Sequence, residues 1–244
     1  MLEHQPQLAV YFAEAFRQLA PKKLTPELDV RFYPYAGLNH TIRLRSGRIH
    51  VRVADIFADA PPEVWRALGV ILVAKLLQRK VPEAQNKIYR EYSCTPDSLR
   101  RSDLARKRRG RKVITTSKGR TYDLDRMFAR VNRQFFDNTI PKPQLTWSRA
   151  RTRRILGHMD AAHDTIVISR TLDAPDVPQW FVEYIMFHEM LHIKHPARIV
   201  GGRRLYHTKS FRLEEQRHPH YADALEWLDD IALRRRREAE PRAA

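Results

Sequence analysis

The chain has 244 residues, of which 43% are hydrophobic and 30% charged, and its 45 lysines and arginines against 28 acidic residues give a net charge of +17. That length allows one large domain or two small ones, and the composition excludes a wholly disordered chain, a collagen or a glycine-rich solenoid. The single Cys94 excludes an internal disulfide and a thiolate zinc cluster, so we expect a cytoplasmic protein. No apolar run reaches 18 residues and the first eight residues lack the layout of a signal peptide, so no membrane partner is expected.

The excess positive charge indicates a polyanionic partner. Arginines outnumber lysines by 34 to 11, and a planar guanidinium group binds phosphate with two parallel hydrogen bonds. A solvated basic surface without a ligand is the alternative interpretation of the same composition. We predict DNA as the partner, which would extend the expected location to the nucleoid or the nucleus.

The first block of predicted elements occupies residues 1–95. Apolar residues recur at helical spacing over 8–19, two strands follow at 29–33 and 49–53, and a long apolar helix covers 64–77. This order of helices and strands indicates a small α+β domain.

A basic segment, residues 96–121, follows the first block. Between residues 100 and 120, ten of 21 residues are lysine or arginine, and Asp103 alone opposes them. We interpret the segment as an exposed linker or arm. The candidates for nucleic-acid contacts in it are Arg106, Lys107, Arg108, Arg109, Arg111 and Lys112.

The second block, residues 122–233, repeats the order of the first and precedes a basic tail, 234–244. Its elements are a helix, two strands, a second helix and a final amphipathic helix, with the first four at 124–135, 145–148, 165–169 and 179–192. Trp65 lies 115 residues before Trp180, and the pairs Phe12-Ala13 and Arg17-Gln18 recur 116 residues later. We predict an internal duplication of a helix–strand–strand–helix unit, the alternative being chance likeness between two α+β layouts.

The second long helix carries an HExxH motif, His188-Glu189-Met190-Leu191-His192. Positions i and i+4 of a helix lie on one face, so the two imidazoles can share one metal ion. Glu189 lies next to the first histidine and can take a proton from a water held there. The motif therefore predicts a zinc site with an adjacent general base.

A catalytic zinc site needs a third protein ligand and an open fourth position. His195 is nearest, but seven residues correspond to about 10.5 Å of helical rise, so the helix would have to break before it. The pair Gly201-Gly202 allows the chain to turn back over the helix. The other candidates for the third ligand are His207, Glu214, Glu215, His218 and His220.

The motif, taken with Tyr206-His207-Thr-Lys-Ser-Phe211, resembles the SprT-like family of zinc metallopeptidases, which includes Spartan-type proteases. That family has an HExxH helix and, about fifteen residues on, a third histidine followed four positions later by phenylalanine. The resemblance covers about residues 122–230. Thr208 departs from it, since glycine is common there, and the four-cysteine zinc ribbon of some members is absent. Upstream segments that match the usual order are Asn132-Arg-Gln-Phe-Phe136, Ile140-Pro-Lys-Pro143, Thr146-Trp-Ser148, Leu156-Gly157 and Ile166-Val-Ile-Ser169.

The resemblance implies a zincin-like metallopeptidase domain with one zinc ion per chain on His188, His192 and His207 and with Glu189 as general base. At an offset of 115 residues, the first block has Val73, Ala74 and Leu77 where the second has the two motif histidines and the glutamate. We therefore expect the first block to be a degenerate copy without metal.

The expected activity is hydrolysis of peptide bonds in a protein substrate, specifically in proteins bound or crosslinked to DNA. The alternative is a nucleic-acid-binding protein with a structural zinc and no protease activity, which a fourth protein ligand such as Glu214 or His218 would indicate. Hydrolysis of a non-peptide substrate at the same zinc is a third interpretation.

Overall fold

The computed structural model describes residues 5–110, 113–201 and 203–239, without the side chains of Arg203 and residues 234–239, and has the α+β fold that the sequence predicts. The chain divides into two compact units, Met1–Gly110 with Ile199–Arg204, and Arg111–Arg198 with Leu205–Ala244. None of the helices in the described ranges is long and apolar enough to cross a membrane.

The first unit contains one three-stranded sheet and four α-helices. Strand β1 pairs in parallel with β3, and β2 pairs antiparallel with β3, so the strand order is β1-β3-β2. The elements in chain order are α1 (Pro6–Leu19), β1 (Glu27–Tyr33), β2 (His40–Arg45), β3 (Arg48–Ala54), a 3₁₀ turn (Asp55–Phe57), α2 (Pro62–Leu76), α3 (Glu83–Ser93) and α4 (Pro96–Arg109).

The core of the first unit lies between its sheet and the helix pair α1 and α2. Alternate residues of β3, among them Val51 and Val53, are buried against Phe12 and Leu68, as expected for a sheet with one covered face. The two helices approach closely at Gly69, where an added Cβ would lie 2.8 Å from the Tyr11 carbonyl oxygen. A residue without a side chain is needed at this contact.

The basic segment differs from the predicted linker, because most of it is helix α4. Thr95 caps this helix by accepting a hydrogen bond from the Ser98 N–H, and Ser98, Ser102 and Ala105 form its buried face. Small residues at a spacing of three to four positions can pack a helix against a neighbour although none of them is strongly apolar.

The second unit contains the same kind of sheet. Strand β4 pairs in parallel with β6, and β5 pairs antiparallel with β6, in the order β4-β6-β5. Its elements are α5 (Leu124–Phe136), β4 (Gln144–Trp147), β5 (Gly157–Asp160), β6 (Thr165–Ile168), a 3₁₀ turn (Arg170–Leu172), α6 (Gln179–Lys194), α7 (Lys209–Glu215) and α8 (Tyr221–Ala239).

The core of the second unit surrounds α6, which is buried along most of its length. Phe181, Met186 and Met190 are fully buried in it, and a helix that is apolar on nearly all sides is typical of such a position. Asp123 caps α5 by accepting the Asp125 and Arg126 N–H groups, and Pro178 precedes the first turn of α6.

The two units have identical element order and strand pairing from the first helix to the second long helix. The first residues of corresponding elements lie 115 to 118 positions apart, from Asp55 and Arg170 at one extreme to Pro6 and Leu124 at the other. Each unit has three strands where the sequence predicted two, because the strands β2 and β5 were not anticipated.

Strands β7 (Arg198–Val200) and β8 (Arg203–Leu205) form a two-stranded sheet after α6. Gly201 has a φ of +56° at the turn between them, which glycine adopts without strain. The predicted return of the chain thus takes the form of a hairpin, and Gly202 lies outside the described residues.

Candidate metal centre

Helix α6 and the start of α7 bring three histidines together. His188 and His192 lie one turn apart on α6, with ring centroids 5.1 Å apart, and His207 lies just before α7. The Thr208 hydroxyl accepts a hydrogen bond from the Phe211 N–H and so caps α7. Thr208, where the family resemblance led us to expect glycine, therefore has a structural role in the turn that carries His207.

The three histidines can hold one metal ion. A nitrogen of His188, of His192 and of His207 can be chosen so that all three atoms lie within 4.8 Å of one another. Burial and the neighbouring His188 lower the pKa of His192 to about 4 and lower the pKa of His207 as well. These two rings are therefore neutral near pH 7, and the neutral form is the one that binds metal.

A buried aromatic ring supports the cluster. Phe211 is fully buried, and its ring centroid lies 4.8 Å from those of both His192 and His207 and 5.2 Å from that of His188. The ring restricts the positions that the three imidazoles can take.

His188 is also in contact with a carboxylate, that of Glu215. Its Nδ1 lies 2.6 Å from Glu215 Oε1, and the Tyr184 hydroxyl donates to the same oxygen at 3.2 Å. When Nδ1–H donates to this carboxylate, Nε2 is left as the metal-binding atom. Burial alone would lower the pKa of His188, but the bond to Glu215 and the charge of Glu189 outweigh it and raise that pKa.

Glu189 is buried beside the cluster, with 4% of its surface exposed. Burial raises the pKa of its carboxyl to about 7, although His188 and a hydrogen bond from the Met159 backbone lower it in part. The carboxyl group lies against strand β5, where a Cβ on Gly157 would come within 2.4 Å of Glu189 Oε1. Only glycine leaves room for the carboxylate there.

The other candidates for the third ligand lie outside the cluster. His195 follows the last residue of α6, and its Nε2 lies 2.7 Å from Glu214 Oε2. Glu214 also accepts a hydrogen bond from Lys194 Nζ at 2.5 Å. His218 is buried between aromatic rings, and His220 stacks on a tryptophan ring.

The residues predicted to contact nucleic acid are divided between helix α4 and the undescribed positions. Arg109 is bound to Asp55 by an ion pair at 2.6 Å, while the half-buried Arg106 and the exposed Lys107 and Arg108 lie on the last turns of α4. Arg111 and Lys112 lie outside the described residues. Contact of this set with nucleic acid stays a prediction.

A comparison with protein-family models matches residues 124–224 to the SprT-like family. The chain contains a SprT-like domain. The match begins at α5 and ends within α8, so it includes His188, Glu189, His192 and His207. Comparisons with curated proteins and with solved structures give no significant match.

Sequence reasoning missed two partners within the SprT-like domain. Glu215 was considered only as a metal ligand, whereas its carboxylate contacts Nδ1 of His188. The Met159 N–H bond to Glu189 depends on strand β5, which was not predicted. Leu156-Gly157 is the only sequence signal near that strand.

Proposed function

We propose that the chain is a zinc metallopeptidase that hydrolyses peptide bonds with Glu189 as general base. The observation that carries the proposal is the convergence of three imidazoles beside one buried carboxylate in a SprT-like domain. Three imidazoles suit zinc, and the HExxH motif on a helix is the donor set of many zinc peptidases.

A zinc ion bound by His188, His192 and His207 would supply Lewis-acid polarisation of the scissile carbonyl and acidify a water. Glu189 takes a proton from the attacking water as its oxygen bonds to the carbonyl carbon. It then returns that proton to the departing amine nitrogen as the C–N bond breaks. A pKa near neutrality, which burial gives this carboxyl, suits a group that accepts and then donates one proton.

Three protein ligands also favour a catalytic site over a structural one. Within the described part of the chain, the grouped donors at this point are the three histidines and no fourth residue. Structural zinc sites are usually closed by four protein ligands, whereas catalytic sites keep one position for water or substrate.

The test compares the wild-type protein with Glu189→Gln and with a control, Glu183→Gln, on the same helix. Zinc content is measured by atomic absorption, and cleavage is followed on a basic DNA-binding protein with and without DNA. We expect equal zinc in all three proteins and loss of cleavage in Glu189→Gln alone, by at least about 100-fold. Zinc-loaded wild-type protein that cleaves nothing under any condition would instead support a structural zinc in a binding protein.

The first unit is proposed to be a metal-free copy of the SprT-like domain. Its identical strand order supports this, as do Val73 and Ala74, which are fully buried and lie 115 residues before His188 and Glu189. The expected stoichiometry is one zinc ion per chain. The variant His188→Ala/His192→Ala should therefore lose all bound zinc, and one ion retained in it would contradict the copy as described.

Proteins held on DNA are proposed as the substrates. The net charge of +17 supports this, because a strongly basic surface concentrates the enzyme on nucleic acid. DNA should then raise the cleavage rate of DNA-bound proteins and leave that of a neutral peptide unchanged. The same stimulation of both substrates would contradict localisation by DNA.

A further inference from the structure

A basic pocket of about 500 Å³ lies in the second unit, and the residues predicted to contact nucleic acid are not among those that line it. Lys118 and Arg120 line it from the segment before α5, Arg151 from the loop before β5, and Arg170 from the 3₁₀ turn after β6. Asp173 is the acidic residue of the lining, so the pocket combines four cationic side chains with one carboxylate.

That carboxylate is already bound by the backbone. Asp173 is 7% exposed and accepts the N–H groups of Arg120, Thr121 and Tyr122 at 2.6, 2.9 and 3.1 Å. A Cβ at Gly119 would lie 2.4 Å from Asp173 Oδ1, so the segment can close on the carboxylate only with glycine there. Asp173 therefore fixes the wall that carries Lys118 and Arg120.

The backbone that carries Arg151 and Arg170 is fixed by side-chain hydrogen bonds. Ser169 Oγ donates to the Thr152 carbonyl oxygen at 2.6 Å, which ties the loop of Arg151 to the end of β6. The Arg170 N–H donates to Ser148 Oγ at 3.0 Å. Both arginines thus project from backbone that is held in place rather than from a free loop.

The positive charges that line the pocket outnumber its single carboxylate. Among the described residues, none of Lys118, Arg120, Arg151 and Arg170 forms an ion pair, whereas Lys142, nearby in the sequence, is paired with Asp125 at 2.6 Å. Four like charges around one cavity repel one another unless an anion is bound. The arrangement is typical of a site for phosphate, which arginine binds through two parallel hydrogen bonds.

The aromatic residue of the lining offers no surface on which a base could stack. Trp147 lines it, but the ring is 1% exposed and its Nε1 donates to the Ser117 carbonyl oxygen at 3.1 Å. The basic side chains therefore favour recognition of phosphate over recognition of bases. We propose that this pocket binds a backbone phosphate of nucleic acid without sequence preference, which rests on the proposed function and gives the SprT-like domain its own contact to DNA.

The experiment compares two double variants that each remove two positive charges from the second unit. Arg151→Gln/Arg170→Gln empties one wall of the pocket, and Arg133→Gln/Arg217→Gln removes two exposed arginines elsewhere in the unit. Binding to a fluorescein-labelled single-stranded oligonucleotide is measured by anisotropy from 50 to 300 mM NaCl, and circular dichroism checks folding.

At 100 mM salt we expect the pocket variant to bind about 25-fold more weakly than wild type, with the slope of log affinity against log salt reduced by about 1.4. The control should change less than about threefold. Lys118→Gln/Arg120→Gln, on the other wall, should reproduce the loss and covers the case in which the first variant misfolds. Equal weakening in the pocket and control variants, or none in either, would overturn the proposal.

Two further arms distinguish nucleic acid from a lipid surface and phosphate binding from peptide hydrolysis. Vesicles of phosphatidylserine and phosphatidylcholine replace the oligonucleotide, and loss of vesicle binding with DNA binding intact would reassign the pocket to a membrane surface. Oligonucleotide binding by Glu189→Gln should equal that of wild type, because this readout does not depend on peptide hydrolysis. Failure of the peptidase proposal would therefore leave the pocket result unchanged, and the reverse also holds.

Discussion

Replacement of Glu215 by glutamine should weaken zinc binding while leaving the fold intact. The Glu215 carboxylate lies 2.6 Å from His188 Nδ1, and this bond orients the ring and makes its metal-facing nitrogen more basic. Glutamine can accept the same hydrogen bond but carries no charge. Loss of such a partner typically costs about 10- to 100-fold in metal affinity, equivalent to about 1.4–2.8 kcal/mol.

The measurement is a competitive titration of the metal-free protein with zinc against a fluorescent chelator at pH 7.5. The control is Glu214→Gln, the same change at the adjacent residue, whose carboxylate binds Lys194 and His195 instead of the cluster. We expect this control to bind zinc within about twofold of wild type, since it makes no contact with a ligand. Equal affinities of all three proteins, or equal losses in both variants, would refute a specific role of Glu215.

Three predictions concern stability, each measured by urea unfolding. Burial and, to a smaller extent, Lys75 lower the pKa of His40 to about 4, so this histidine is neutral at pH 7. Its contribution to stability is present above the unfolded pKa near 6.5 and is lost as the pH falls towards 4. Between pH 7 and 4 the wild type should therefore lose about 3 kcal/mol more than His40→Gln, and parallel losses would contradict this. Gly69→Ala should lower the free energy of unfolding by about 1–2 kcal/mol, despite the better helix propensity of alanine. The control Gly37→Ala, where a Cβ has open space around it, should change the free energy of unfolding by less than about 0.5 kcal/mol. Equal effects would argue against the close helix contact. Asp123→Ala should cost about 1 kcal/mol through loss of the α5 cap, and no change would show that the cap is dispensable.

The long helices and the motif could be predicted from sequence because their signals are local. The helix with His188 and His192 has uninterrupted apolar character and a proline before its first turn, and the structure places it from Gln179 to Lys194. The spacing of the two histidines then fixes their position on one face.

The third histidine could not be chosen by spacing, because it depends on a turn of the chain. His207 reaches the cluster only after the β7–β8 hairpin, and five other donors lie within the same stretch of sequence. The family resemblance singled out His207, and the structure brings it to the other two histidines.

Helix α4 was missed for a different reason. Its charges dominate the sequence, and its buried face consists of Ser98, Ser102 and Ala105, which carry almost no hydrophobic signal. The cap at Thr95 and the proline at the next position were the available signals. Strands β2 and β5 were missed because their residues are partly exposed, and short edge strands show weak alternation.

Gly157, which leaves room for Glu189, has a larger residue at the corresponding strand position of the first unit. Ile168 and Val53 each lie two residues before a 3₁₀ turn, and their antiparallel partners are Gly157 and His40. When Trp180 is aligned with Trp65, the helix position of Glu189 corresponds to that of Ala74.

The two units therefore differ in which element carries the larger side chain. One unit has a bare strand and a long side chain on the helix, while the other has an imidazole on the strand and a methyl group on the fully buried helix position. A glutamate at Ala74 would have to fit at a fully buried position, where added atoms displace their close-packed neighbours. The helices α3 and α4, which follow α2, also take the place in the chain order of the hairpin and turn that deliver a third ligand. A three-histidine cluster in the first unit would therefore require new histidines both on α2 and in the chain that follows it.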